Sequence, residues 1–132
     1  MPLTVLVVDD DICLRGLYLA LLTEAQPGAT LLTAATAGEA IRLAATRRPN
    51  VIYLDQRLPD QHGTDALPAL RASCPDAVIM LVSGTIDEAL ADRAIAAGAD
   101  SCQDKIELLE SLHDGTDRSG GTDRSGGAAR IR

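Results

Sequence analysis

Five times in succession this chain sets a short aliphatic run before a longer helix-like one, and that alternation limits its fold more than any other feature. The strand-like runs are Val5–Val8, Thr30–Ala34, Val51–Leu54, Ala77–Val82 and the more polar Ser101–Asp104. Between them, Ile12–Ala25 is rich in leucine and is stopped by Pro27-Gly28. Thr36 and Glu39 have capping-box spacing and open a helix that runs to about Arg48, where Pro49-Asn50 breaks it. Asp65–Ser73 is a short helix whose first turn Pro68 is expected to loosen. Ile86, Leu90, Ala94 and Ala97 mark the core face of the next helix, which ends at Gly98, and Ile106–Leu112 is the last. Ala77–Val82 is apolar without a break, as a strand buried on both faces must be. Such a run of βα units predicts an α/β fold, a parallel sheet with helices on both faces.

In sheets of this kind ligands bind at the carboxyl ends of the strands, where the strand order reverses. The chemically informative residues fall there. Val51-Ile52-Tyr53-Leu54 delivers Asp55 into a loop containing Pro59 and Gly63. Thr4-Val5-Leu6-Val7-Val8 likewise ends in Asp9-Asp10-Asp11. Two strands that end in acid bring several carboxylates into one crevice, which is costly unless a cation, usually divalent, neutralises them. Ser83-Gly84 follows the fourth strand and Lys105 the fifth.

The chain has 132 residues, enough for one domain, and is 46% hydrophobic. It contains neither Phe nor Trp, so Val, Leu, Ile and Ala must fill its core. A net charge of −7 argues against direct nucleic-acid binding, which needs a basic face. The longest apolar runs are too short to span a membrane, and the N-terminus runs straight into a strand with no basic-then-apolar leader. Cys13, Cys74 and Cys102 are odd in number and widely spaced, so they read as reduced thiols of a cytoplasmic protein. Residues 1–114 are expected to form the domain. From Gly115 the composition changes: Gly-Thr-Asp-Arg-Ser-Gly stands at 115–120 and again at 121–126. That polar repeat has little to bury, and 115–132 is expected to be a flexible tail.

Val-Val-Asp-Asp at the first strand end, Leu-Asp-x-x-Leu-Pro-x-x-x-Gly around Asp55, Val-Ser-Gly after the fourth strand, Ala-Gly-Ala before the fifth and Lys105 after it form a set. In that order and spacing the chain resembles the receiver domain of bacterial two-component response regulators over residues 3–114. The resemblance implies a flavodoxin-like, doubly wound, five-stranded parallel sheet in the order 2-1-3-4-5, as in the chemotaxis receiver. It further implies that Asp55 accepts a phosphoryl group from the phosphohistidine of a sensor histidine kinase or phosphotransfer protein. A carboxylate is a weak nucleophile, but it can form an acyl phosphate where a metal neutralises the developing charge. By the same resemblance Asp9, Asp10, Asp55 and the backbone carbonyl of Arg57 hold Mg²⁺, which prefers oxygen ligands. Ser83 is then the switch hydroxyl, Lys105 contacts the phosphoryl group, and Gly84 leaves room for the donor. Asp11 suits an N-cap role instead. The domain would assist its own phosphotransfer and dephosphorylation without being a conventional enzyme. Its downstream protein partner is open, and so is homodimerisation.

His62 and His113 read as surface residues, not as phosphate donors. Three positions depart from the family pattern. Ile106 stands where Pro usually follows the lysine, and Cys102 stands where the fifth strand usually carries an aromatic. The last helix is short and runs into Asp114-Gly115. These departures keep open a degenerate receiver that serves as a constitutive protein-binding module. An aspartate-nucleophile phosphatase of the haloacid dehalogenase type needs a second acid two residues beyond the nucleophile, where this chain has Arg57. A nucleotide-binding Rossmann domain would need a glycine-rich fingerprint that this sequence lacks.

Overall fold

The computed structural model describes residues 3–114, so the expected tail over 115–132 lies outside the described residues. Its elements alternate without exception: β1 (Thr4–Val8), α1 (Ile12–Ala25), β2 (Thr30–Ala34), α2 (Ala37–Arg47), β3 (Val51–Asp55), α3 (Gly63–Ser73), β4 (Val78–Ser83), α4 (Glu88–Ala97), β5 (Ser101–Asp104) and α5 (Lys105–His113). All strand pairs are parallel and the sheet order is β2-β1-β3-β4-β5. This is the flavodoxin-like doubly wound sheet that the family resemblance implied.

Two core clusters lie on opposite faces of the sheet. One joins Leu6, Val8, Ile52, Leu54, Ile79 and Leu81 to α2, α3 and α4. The other joins Val5, Val7, Val51, Tyr53, Met80 and Val82 to Tyr18 and Leu22 of α1 and Leu108 of α5. Alternate residues of β1, β3 and β4 serve opposite faces, which is why these strands read as unbroken apolar runs. On α2 the buried face is Ala37, Ala40 and Ala44, small enough to let the helix lie close on the sheet. The rings of Tyr18 and Tyr53 pack at 5.7 Å in a chain that has no Phe or Trp.

Several element boundaries differ from the sequence expectations, each for a local reason. The fourth helix starts at Glu88 because Asp87 caps it, accepting from the Leu90 N–H at 2.8 Å. Ile86 therefore precedes the helix and is half-buried in the loop, while Leu90 and Ala94 carry the core face. The third helix starts two residues early, at Gly63, and runs unbroken through Pro68, which falls in its second turn on an exposed face. Its first turn is supported from outside: the Gln56 side chain accepts from the Thr64 N–H at 3.0 Å and donates to the Thr64 hydroxyl at 3.3 Å. The fifth helix begins at Lys105 itself, capped by Asp104 through the Glu107 N–H at 3.0 Å. The fourth strand is shifted by one residue and ends in Ser83. None of the described helices is long and apolar enough to cross a membrane.

Candidate functional site

The carboxyl ends of β1, β3, β4 and β5 meet at one edge of the sheet. β1 and β3 run side by side up to the Val8–Leu54 pair, so Asp9 and Asp55 emerge next to one another. Carboxylate oxygens of Asp9, Asp10 and Asp55 lie within 4.8 Å of each other. Asp9 is 1% exposed and Asp55 5%, whereas Asp10 faces solvent at the rim. Lys105 reaches across from the start of α5, its Nζ 3.2 Å from Asp55 Oδ1 and 3.3 Å from Asp9 Oδ2.

Backbone and side-chain bonds hold this cluster rigidly. The Asp9 N–H donates to Ala34 O at 3.0 Å, and Asp9 Oδ1 accepts from the Asp11 N–H at 2.9 Å. Arg15, one turn into α1, donates to the Asp9 carbonyl at 2.8 Å. Asp11 caps α1 by accepting from the N–H groups of Cys13 and Leu14, so of the three consecutive acids it is the one spent on the helix. Beyond Asp55, the Gln56 N–H donates to Val82 O at 2.9 Å and Arg57 bridges to His62 across the loop. Gly63 cannot carry a side chain, because a Cβ there would stand 2.6 Å from Asp55 O and 2.8 Å from Leu81 Cδ1. The glycine of the Asp55 motif is thus a packing requirement at the base of the site.

Electrostatics leave the cluster under-neutralised. Three mutually repelling carboxylates face one ammonium that contacts only two of them. Each unit-charge pair at such separations is worth about 4 kcal/mol at an effective dielectric of 20. Three repulsions therefore outweigh two attractions, before any cost of burial. Burial first, and then the Asp9 charge, push the Asp55 carboxyl above the usual carboxylate range; Lys105 and the Arg57 backbone N–H pull it part of the way back. Burial alone would lower Lys105, yet Asp55 and Asp9 together carry its pKa upward. Asp9 Oδ2 is buried and accepts no hydrogen bond, the Lys105 ammonium standing 3.3 Å away. An orphaned, buried carboxylate oxygen among hard oxygen donors, in a cluster short of positive charge, fits a small divalent cation such as Mg²⁺.

Ser83 ends β4 at the same edge and is 7% exposed. Its hydroxyl donates to Thr85 O at 2.9 Å and accepts from the Thr85 N–H at 3.2 Å, so its bonds stay inside its own loop. A Cβ on Gly84 would meet nothing within 4 Å, which leaves the approach beside Ser83 open. Ile106, which stands where the family pattern usually has proline, is 62% exposed, and the described residues contain no cis peptide bond. Cys102 is half-buried on β5. His62 is exposed at the N-cap of α3 and makes no side-chain capping bond.

The sequence-predicted residues Asp9, Asp10, Asp55 and Lys105 are thus brought together, with Arg57 on the adjoining loop and Ser83 one strand further. Sequence reasoning missed Arg15, Gln56 and Asp60, which hold the loops around the cluster. Asp60 accepts from the N–H groups of Ala37 and Gly38, each at 2.9 Å. No local pattern announces such a bond, because its partners lie more than twenty residues away in sequence.

Comparison with known proteins agrees with this geometry. The family model of the response regulator receiver domain matches residues 5–115. A probable transcriptional regulatory protein, TcrX of Mycobacterium tuberculosis, is 39% identical over 102 residues, covering 75% of this chain and 42% of that protein. A protein-glutamate methylesterase/protein-glutamine glutaminase of Moorella thermoacetica is 38% identical over 117 residues, covering 87% of this chain and 27% of that one. The chain therefore spans less than half the length of these curated relatives. Among solved structures, a CheY-like response regulator receiver domain protein from Methanospirillum hungatei superposes with a TM-score of 0.75 at 27% identity, covering 89% of this chain and 95% of that one. A LuxR-family two-component response regulator from Aurantimonas sp. gives 0.73 at 27% identity, covering 98% of both chains. With strand order, acid cluster and lysine already in view, the match across nearly the whole described fold means that this chain belongs to the response regulator receiver domain family of two-component signalling.

Proposed function

We propose that this domain takes a phosphoryl group onto Asp55 from the phosphohistidine of a sensor kinase or phosphotransfer protein, with Mg²⁺ required. The observation that carries the reading is the buried Asp9–Asp55–Lys105 cluster, with its orphaned Asp9 oxygen. A receiver domain is a signalling module, and any sustained catalysis belongs to other domains. Asp9, Asp10 and Asp55, with the Arg57 carbonyl, would hold the cation. When bound, Mg²⁺ supplies charge neutralisation for the carboxylates and for the oxygens of the incoming phosphoryl group.

The chain's own residues do the rest. An Asp55 carboxylate oxygen forms the new O–P bond as the P–N bond of the donor breaks. That electron pair returns to the imidazole, which leaves neutral when its other nitrogen carries a proton. Lys105, already 3.2 Å from Asp55, swings its ammonium to a phosphoryl oxygen as a point charge on a flexible stem. Ser83 exchanges its bond to Thr85 for one to the phosphoryl group, drawing its loop inward and biasing a two-state equilibrium at α4. A cytoplasmic setting belongs to this reading, in line with the free thiols of Cys13, Cys74 and Cys102. The downstream partner is a protein that reads the α4–β5–α5 face.

Incubation with a small phosphodonor, following released phosphate and bound phosphate together, tests the chemistry. One slow stoichiometric event supports a receiver, whereas many turnovers per chain would support a phosphatase instead. One observation favours a second reading: β5 is Ser-Cys-Gln-Asp and carries no aromatic to couple with Ser83. Lasting phosphate on Asp55 without any change at α4 would favour that constitutive module.

A further inference from the structure

We propose that Asp60 is a positioning residue for phosphoryl transfer: by clamping the β3–α3 loop to the first turn of α2, it holds the Arg57 backbone at the Asp55 carboxylate. The proposal deepens the receiver reading and rests on it.

In sequence, Asp60 is an acid after a proline in an exposed turn, of the kind usually left to solvent. The structure gives it a specific task. Both carboxylate oxygens are used, Oδ1 on the Ala37 N–H and Oδ2 on the Gly38 N–H, each at 2.9 Å. Those N–H groups, Ala37's first, hold the Asp60 carboxyl below its usual range, although the side chain is open to solvent.

The helix does not need this contact for its own cap. Thr36 accepts from the Glu39 N–H at 3.1 Å, and Glu39 Oε1 reaches back past the cap to the Ala35 N–H at 3.0 Å, so α2 has capping bonds of its own beside those from Asp60. Gly38 is only half-buried and could turn to water, whereas Ala37 is fully buried, so part of the loss on removing Asp60 would fall on α2 as well as on the loop. The loop depends on the contact more. Arg57, Pro59 and Asp60 are exposed, and Leu58 is its one buried anchor. Its two ends are tied by side chains to two helix N-termini: Gln56 to Thr64 of α3, and Asp60 to Ala37 and Gly38 of α2. Between these ties lies Arg57, two residues beyond Asp55 and bridged to His62 across the loop, and its N–H helps draw the Asp55 carboxyl downward. Its carbonyl is the proposed backbone ligand of the cation. A loop free to drift by an ångström would misplace both groups, and errors of that size can cost about a hundredfold in rate.

The test compares the wild-type chain with Asp60→Ala, Asp60→Asn and Thr36→Ala, the last weakening α2 without touching the loop. Three quantities are read: Mg²⁺ affinity by titration, the rate of modification by acetyl phosphate at saturating Mg²⁺, and Tm. We expect Asp60→Ala to lose about tenfold in Mg²⁺ affinity and about tenfold in rate, with faster amide exchange at Arg57. Asp60→Asn should recover part of both, because its amide oxygen still accepts one N–H. Thr36→Ala should lower Tm at least as much as Asp60→Ala while leaving affinity and rate within twofold of wild type. A purely structural Asp60 would lower Tm and leave affinity and rate alone. That result, or equal slowing by Thr36→Ala, would overturn the proposal. Failure of wild type to take up phosphate would instead overturn the receiver reading, and the ratio of Mg²⁺ affinities would still decide the clamp.

Discussion

The rim formed by β1 and β3 and the rim formed by β4 and β5 lie along the same edge of one sheet, yet they are built in opposite ways. At the first, every turn is tied down: Asp9 through its N–H, its carbonyl and one carboxylate oxygen, and the loop after Asp55 through Gln56 and Asp60. Its strands are buried throughout their ends. At the second, the Ser83 hydroxyl bonds only within its own turn, Gly84 and Thr85 are exposed, and all four residues of β5 are half-buried. The difference matches two physical needs. A phosphoryl transfer site gains from groups fixed before the reaction. A readout needs an element with two accessible arrangements, and such elements come from the loosely held parts of a fold.

Substitutions can break or sharpen that contrast. The largest effect is expected from Asp9→Asn, which should weaken Mg²⁺ binding by well over tenfold in a titration, because a charged oxygen is lost from a buried cluster. Unchanged affinity would remove Asp9 from the cation site. Lys105→Met should act in the opposite direction and tighten Mg²⁺ binding by roughly threefold to tenfold, since the ammonium and the dication neutralise the same carboxylates. Weaker binding would mean that the lysine organises the acids instead of competing for them.

Asp55→Asn should stabilise the metal-free protein at neutral pH by on the order of 1 kcal/mol, about 4 °C in Tm for a domain of this size. The sign follows from linkage. The folded carboxyl is held above its unfolded value, so the native state binds the proton more tightly. That contribution is full below the unfolded pKa and is lost as pH rises through the raised folded pKa. A Tm-versus-pH series should therefore show the gain from Asp55→Asn growing across that window and levelling above it. The smallest effect is expected at the loose rim. Cys102→Ala should leave Mg²⁺ affinity and phosphorylation rate within twofold, and a larger change would show that the two rims are not separable.

Much of this architecture was legible in the chain. Apolar runs ending in Asp9 and Asp55 implied buried parallel strands with acids at one edge of the sheet, and the family resemblance implied that the two strands are neighbours. The capping box at Thr36 and Glu39 gave the start of α2 directly. Boundaries failed where capping came from an unanticipated residue, as Asp87 did for α4 or the Gln56 side chain for α3. Lys105 was readable as a cation near the acids, but its bridging of Asp9 and Asp55 depends on how α5 starts, which no local pattern states. Asp60 was unreadable for a deeper reason: its partners are distant in sequence, and an acid after a proline looks the same whether it caps another helix or faces water.

The central claim is that Asp55 accepts a phosphoryl group with the help of Mg²⁺. Intact mass after incubation with acetyl phosphate, with and without Mg²⁺, on wild type and Asp55→Ala, tests it most directly. The account predicts one added phosphoryl group on wild type, only with Mg²⁺, and none on the variant. An unmodified wild type with Mg²⁺ bound, or equal modification of Asp55→Ala, would contradict it.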